Sequence, residues 1–242
     1  MPETRDLVFP DEPRRILEGV EEWLLKHFPK RALVIGGGTV LASRWSHRVS
    51  TDCDMFADEW AFREVGFDAL RRDVDARLLS GDLIRARLSP RTLFIESSDG
   101  ELAIVGDSSQ QPRHPTDRIA GMSVHPVGEI LRRKMEYRLI SRGFVEARDL
   151  YDFAVAACTE TKEMEWVMWG VGESVAAGVE AGLRQSMEMG GKQLIKPHCP
   201  DLAHDLGGFA VQLFRVGPVE FNRRHGEMIR RGLPLERKGN VQ

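Results

Sequence analysis

The stretch Arg48-Val49-Ser50-Thr51-Asp52-Cys53-Asp54-Met55-Phe56 decides how the first half of this chain is read. From Asp52 to Phe56 acidic and apolar residues alternate, the period of a short strand. Residues i and i+2 of a strand point to one face, so Asp52 and Asp54 project together while Cys53 and Met55 turn to the core. Aspartate is disfavoured in strands, so two of them here need a reason. Neighbouring carboxylates repel unless a positive charge lies between them. Hard oxygen donors suit Mg²⁺, which takes one or two carboxylates plus substrate phosphates, with Mn²⁺ as a substitute. A solvated Asp-x-Asp at a sheet edge is the plainer alternative.

Immediately upstream, Ala32-Leu33-Val34-Ile35 is a short apolar run that reads as a buried strand. Gly36-Gly37-Gly38 breaks it, and Thr39 is placed to cap a short helix reaching about Ser46. Glycine amides at a helix N-terminus approach and bind anions such as a triphosphate; the same turn also serves simply to reverse the chain. It lacks the Gly-Lys-Ser/Thr ending of a P-loop and the Gly-x-Gly-x-x-Gly dinucleotide pattern. Further back, Asp11-Glu12-Pro13 opens a helix carrying Ile16, Val20, Trp23, Leu24 and His27, and Phe28-Pro29 closes it.

Downstream, Trp60 to Leu79 reads as helical. Leu83 to Leu88 alternates with Arg85 and Arg87 as a half-exposed strand does. Arg91 to Glu96 and Glu101 to Val105 flank Ser98-Asp99-Gly100, a hairpin signal. The polar connection Gln110 to Pro115 suggests a boundary between an α/β core, residues 1–115, and a helical domain, residues 116–242. Helices are expected over Pro126–Arg142, Glu146–Cys158, Glu160–Trp169, a Gly/Ala-rich stretch to Met189, and Leu206–Phe214. Breaks fall at Gly190-Gly191 and around Pro197 and Pro200. The expected fold class is α+β: a small mixed sheet with flanking helices, then an α-helical C-terminal domain.

That second half carries chemistry of its own. Val127, Leu131, Met135, Tyr137 and Leu139 mark a broad apolar helix face, and Lys134, Arg138 and Arg142 run down its middle at i, i+4, i+8. Buried cations are costly unless they meet anions, although long side chains also snorkel to water. Asp149 and Asp152 follow Arg148 and share a helix face. They read either as site carboxylates or as a helix-start ion pair; Asp152, set among Leu150, Tyr151 and Phe153, is the more inward of the two.

Taken in order, four motifs resemble the AbiEii/AbiGii nucleotidyltransferase toxin family of the DNA polymerase β-like nucleotidyltransferase superfamily. They are Gly37-Gly38-Thr39-Val40-Leu41, Arg48 to Phe56, Ile130-Leu131-Arg132-Arg133-Lys134, and Arg148-Asp149-Leu150-Tyr151-Asp152, within Ala32 to Ala157. The resemblance implies transfer of a nucleotide from an NTP to an acceptor such as a tRNA 3′ end, by the toxin of a toxin–antitoxin pair. On that reading Asp52 and Asp54 hold metal, and Lys134 and Asp152 join them in catalysis. Gly37, Gly38, Thr39, Arg48, Ser50 and Arg138 bind the nucleotide, and an antitoxin protein is a partner. One departure is visible. Related enzymes carry a third carboxylate on a neighbouring strand, where this chain has Ala103; Glu101 or Glu96 could substitute, or the site works with two.

Bulk properties limit the alternatives. Of the 242 residues, 42% are hydrophobic and 29% charged, which excludes a disordered chain as the default. A net charge of -3 leaves no global basic field to draw in nucleic acid. Three widely spaced cysteines make no disulfide framework. No signal-peptide pattern or membrane span is evident, so a cytoplasmic protein is expected. Weaker candidates are His198-Cys199 with His204, which lack paired zinc spacing, and Cys53, a poor nucleophile between two aspartates. Arg223-Arg224 and Arg230-Arg231 read as a solvated helix face or as contacts to RNA phosphates. Rival readings are a degenerate nucleotide- or partner-binding module without turnover, and nucleotide transfer to protein hydroxyls, including self-modification near Ser50 or Thr51.

Overall fold

The computed structural model describes residues 5–107, 117–141, 146–169 and 197–234. It divides the chain into two units, one of Met1–Arg44 with Ser50–Pro126, the other of Trp45–Val49 with Val127–Gln242. In chain order the first unit contains β1 (Arg5–Asp6), α1 (Asp11–His27), β2 (Leu33–Ile35), α2 (Gly37–Trp45, its last residue grouped with the second unit) and β3 (Asp52–Asp58). Then come α3 (Glu59–Glu64), α4 (Phe67–Ser80), β4 (Arg85–Ser89), β5 (Thr92–Ser97), β6 (Gly100–Asp107), β7 (Asp117–Ile119) and β8 (Met122–Val124).

The eight strands among the described residues form one mixed sheet in the order β1-β7-β8-β2-β3-β6-β5-β4. β3 lies at its centre, antiparallel to β2 and parallel to β6. The alternation in its sequence becomes an alternation of environment. Cys53, Met55 and Ala57 are buried, while Asp52, Asp54, Phe56 and Asp58 are half-buried on the other face. On the buried side Leu102 and Ile104 of β6 and Leu93 and Ile95 of β5 continue the core. Helix α1 packs onto β3 and β6 and buries Ile16, Leu17, Val20, Trp23 and Leu24. Each large apolar side chain buried this way contributes about 1.5–3 kcal/mol. The hairpin expected at Ser98-Asp99 is present: Ser97 pairs with Gly100, and Gly100 takes the φ of 141° that closes the turn.

Three expectations needed revision. The Trp60–Leu79 segment is two helices, α3 and α4, interrupted at Val65 and Gly66. Thr39 is not a cap, because α2 already begins at Gly37. The boundary expected near residue 115 falls inside the first unit: β7 and β8 pair with each other, with β1 and with β2, and so extend the sheet to Val124.

The second unit is helical. It contains α5 (Val127–Arg133), which runs on as a π-helix over Lys134–Ile140, then α6 (Ala147–Thr159), α7 (Thr161–Trp169), α8 (Pro200–His204) and α9 (Leu206–Gly232). Every residue of α6 from Asp149 to Cys158 is buried. α6 and α9 pack together, with Phe153 edge-on to Phe214 at 6.3 Å and Arg230 Nη1 donating to the Cys158 carbonyl at 2.8 Å. The helix expected to stop at Phe214 continues to Gly232 through a bend at Gly217, whose φ of 78° and ψ of 164° precede Pro218. Proline lacks the N–H that would tie it to the previous turn, so the chain bends there and then resumes the helix. Arg142, the Gly/Ala-rich stretch to Met189 and Gly190-Gly191 lie outside the described residues. Among the described residues no helix is long and apolar enough to cross a membrane.

Candidate active site

The aspartate pair of β3 is shaped by the turn between β2 and α2. Pairing of β2 with β3 ends at Ile35 opposite Met55. Gly36 then donates its N–H to the Asp54 carbonyl at 2.9 Å. Gly37 adopts a left-handed φ of 66°, and the chain swings away into α2. A Cβ on Gly37 would lie 2.1 Å from Asp54 Oδ2, and one on Gly36 would lie 2.5 Å from the Phe56 ring. Only glycine admits this approach, which seats the Asp54 side chain against the first turn of α2. The partial positive charge at a helix N-terminus favours a carboxylate there. Thr39 Oγ1 donates to the Asp52 carbonyl and bonds Ser50 Oγ at 3.0 Å. Thr51 Oγ1 donates to Asp52 Oδ1 at 2.9 Å. Thr39 and Ser50, expected at the nucleotide, are thus buried and committed to protein partners.

Across the half-buried face, Asp52 is in register with Glu101, and Asp54 with Ala103. Glu101 lies 3.6 Å from Arg85 Nη2, and Glu96 lies 2.8 Å from Arg85 Nε. Both substitutes considered for a third carboxylate therefore share one arginine. Among the described residues no group of three or more His, Cys, Asp or Glu side chains is arranged to hold a metal ion. Burial, and then the charges of Asp54 and Asp52, push the Cys53 thiol far up, which removes it as a nucleophile.

The second unit gathers the remaining charged candidates around two buried aspartates. Asp152 is 0% exposed. It accepts from Arg48 Nε at 2.8 Å and Nη2 at 3.0 Å, and from His47 Nε2 at 2.6 Å, with Lys134 Nζ at 3.2 Å. Asp149 accepts from Lys134 Nζ at 2.5 Å and from Arg138 Nη1 at 2.8 and 3.0 Å. Burial opposes ionisation of both carboxyls. The charges of Arg48 and Lys134 nevertheless hold Asp152 well below the usual range, and those of Lys134 and Arg138 lower Asp149. Burial lowers the pKa of His47 despite its bond to Asp152, so the imidazole is neutral at pH 7. A carboxylate only accepts, so Nε2 carries the proton. The His47 ring stacks on Tyr151 at 5.5 Å, and its backbone carbonyl accepts from His198 N–H at 2.9 Å.

Lys134, Arg138, Asp149 and Asp152 are thus brought together, the cations of one helix meeting the carboxylates of the next, while Arg48, expected at the nucleotide, is buried on Asp152. The sequence reading missed His47 as a member of this cluster. No local signal marks it, since its partner is 105 positions away. The C-terminal arginines are ion-paired along α9: Arg223 and Arg224 with Glu220, and Arg231 with Glu227. Arg230 donates instead to the Cys158 carbonyl and to Asn222 Oδ1, so two glutamates offset the cluster only in part.

No family model matches the chain. No curated protein matches it in sequence. Among solved structures it is similar to a provisionally assigned nucleotidyltransferase from H. pylori, with a TM-score of 0.40 and 16% identity, covering 90% of this chain and 94% of that one. It is also similar to JHP933 from Helicobacter pylori, with a TM-score of 0.42 and 14% identity, covering 87% of this chain and 94% of that one.

Proposed function

We propose that the chain is a metal-dependent nucleotidyltransferase that moves a nucleotide from an NTP to an acceptor hydroxyl. One observation carries the reading: Asp52 and Asp54 share the half-buried face of β3, with Asp54 seated against the Gly36-Gly37 turn that opens α2. The donor set fits a hard divalent cation, since Mg²⁺ typically takes one or two carboxylates and completes its shell with phosphates and water. Asp52 and Asp54 would hold the ion, which when bound neutralises charge at the α-phosphorus and on the departing pyrophosphate. Thr51 orients the Asp52 carboxylate, and backbone amides at the start of α2 would meet phosphate. The four-motif resemblance extends the proposal to a tRNA 3′ end as acceptor and to the toxin of a toxin–antitoxin pair.

The test is transfer of label from each NTP to total tRNA in Mg²⁺ or Mn²⁺. Label on RNA, lost in Asp52→Ala, supports the reading. Activity surviving Asp52→Ala sinks the metal assignment. A second reading, a nucleotide-binding module without turnover, is favoured by Ala103 standing in register beside Asp54. Mg²⁺-dependent NTP binding without pyrophosphate release would select it. Label on the protein itself would select transfer to protein hydroxyls.

A further inference from the structure

We infer that Thr39 is a positioning residue for Asp52, acting as a side-chain extension of the β2–β3 ladder; the inference rests on the reading of Asp52 as a metal ligand. β2 is three residues long, and its pairing with β3 stops at Met55. Carbonyls of alternate strand residues point to the same neighbour, so Asp54 and Asp52 both aim theirs where β2 has ended. Gly36 N–H satisfies the first. At the second, the chain has already turned into α2, and the Thr39 hydroxyl takes the place of the missing strand donor.

The proton inventory makes the arrangement directional. A carbonyl only accepts, so the single hydroxyl proton of Thr39 is spent on Asp52. The Thr39–Ser50 bond must then run from Ser50 as donor. A chain results, Ser50 O–H to Thr39 O–H to Asp52 C=O, in which each bond polarises the next. Thr39 and Ser50 are 1% and 6% exposed, so neither hydroxyl faces solvent as a phosphate ligand would. The main chain of Asp52 is thereby held from one side by α2 and from the other by β6, while Thr51 aligns its carboxylate.

The experiment compares Thr39→Val, Thr39→Ser and Ser50→Ala by Mn²⁺ titration without nucleotide, followed by electron paramagnetic resonance, and by steady-state transfer kinetics. Groups that orient metal ligands typically cost about 10–100-fold in affinity or activity when removed. Thr39→Val is therefore expected to weaken Mn²⁺ binding and lower kcat within that range, with the KM for NTP unchanged. Thr39→Ser should restore both, and Ser50→Ala should fall between. A raised KM with Mn²⁺ binding and kcat intact would make Thr39 a nucleotide ligand and overturn the inference, as would a Thr39→Val protein indistinguishable from the parent. If Thr39→Val fails to fold, weakened Mn²⁺ binding in Ser50→Ala still supports the chain, and unchanged binding overturns it. Should the parent protein bind Mn²⁺ but transfer nothing, the transferase reading fails while the Mn²⁺ arm still decides the role of Thr39.

Discussion

Arg48 grips Asp152 through two parallel hydrogen bonds, 2.8 Å from Nε and 3.0 Å from Nη2, with both side chains out of solvent. Bidentate guanidinium–carboxylate pairing is directional as well as strong. Fully enclosed, Asp152 has the surroundings of a group that positions others. Asp152→Ala would leave Arg48 and part of the Lys134 charge buried without a counter-ion, which typically costs about 3–5 kcal/mol. A large drop in urea midpoint is expected. Unchanged stability with abolished transfer would instead mark Asp152 as a catalytic group.

Acid should destabilise the second unit in two stages. His47 has a lowered folded pKa, because burial outweighs its bond to Asp152. The unfolded imidazole therefore takes up a proton first, and stability falls as pH drops below about 6.5. Asp149 and Asp152 are also lowered, by Lys134 with Arg138 and by Arg48 with Lys134, in each case against burial. Their contribution is complete above the unfolded carboxyl value of about 3.9 and is lost as pH falls through the folded values. Thermal melts across pH should show both stages, and His47→Gln should erase the first. A first stage that persists in His47→Gln would assign it to another group.

Gly37→Ala separates backbone strain from displacement of Asp54. A left-handed φ costs an alanine about 1–2 kcal/mol, and the added methyl would also meet Asp54 Oδ2 at 2.1 Å. Gly81 is the control, since its φ is 83° and nothing lies within 4 Å of its Cβ position. Gly81→Ala should lose the strain energy alone, Gly37→Ala should lose more than that in melts, and only Gly37→Ala should lose Mn²⁺ binding. Equal metal binding in the two would show that Asp54 tolerates the move.

Ala103→Asp places a carboxylate in register with Asp54 on the same half-buried face. Added like charge should lower the melting temperature without metal. Added ligand charge should enlarge the stabilisation by Mn²⁺, because a ion that binds the folded state raises its stability by mass action. A smaller Mn²⁺-induced shift than in the parent would mean that residue 103 does not face the ion.

The parts of this architecture that were legible in sequence are those in which neighbours along the chain are neighbours in space. Asp52 to Phe56 alternated at the strand period, Ser98-Asp99-Gly100 carried turn chemistry, and Lys134 and Arg138 stood one turn apart on an apolar helix face. β7 and β8, at three residues each, are too short for any period to show. The pairing of Arg48 and His47 with Asp152 joins segments with no local mark of each other, so Arg48 read as a nucleotide contact. Thr39 carried a misleading signal: threonine after glycines suggests a cap or an anion site, whereas its hydroxyl completes a sheet. The helix past Phe214 was hidden by Gly217 and Pro218, which bend α9 without ending it.

The π-helical stretch Lys134–Ile140 has a consequence for how this helix tolerates insertion and deletion. A π turn closes its hydrogen bonds one residue later than an α turn, so it holds a surplus residue. In this frame Lys134 and Arg138 both reach Asp149. Removing one residue between them would let the backbone relax to an ordinary α-helix, with every hydrogen bond re-formed. Because the π turn absorbs the extra residue, the side chains beyond the deletion would keep nearly the facing they have now, and Arg138 would stay on the side of Asp149. This segment can thus lose one residue and keep its charge pairing, whereas a deletion inside α6, a regular helix with no surplus, would turn every later side chain by about 100°.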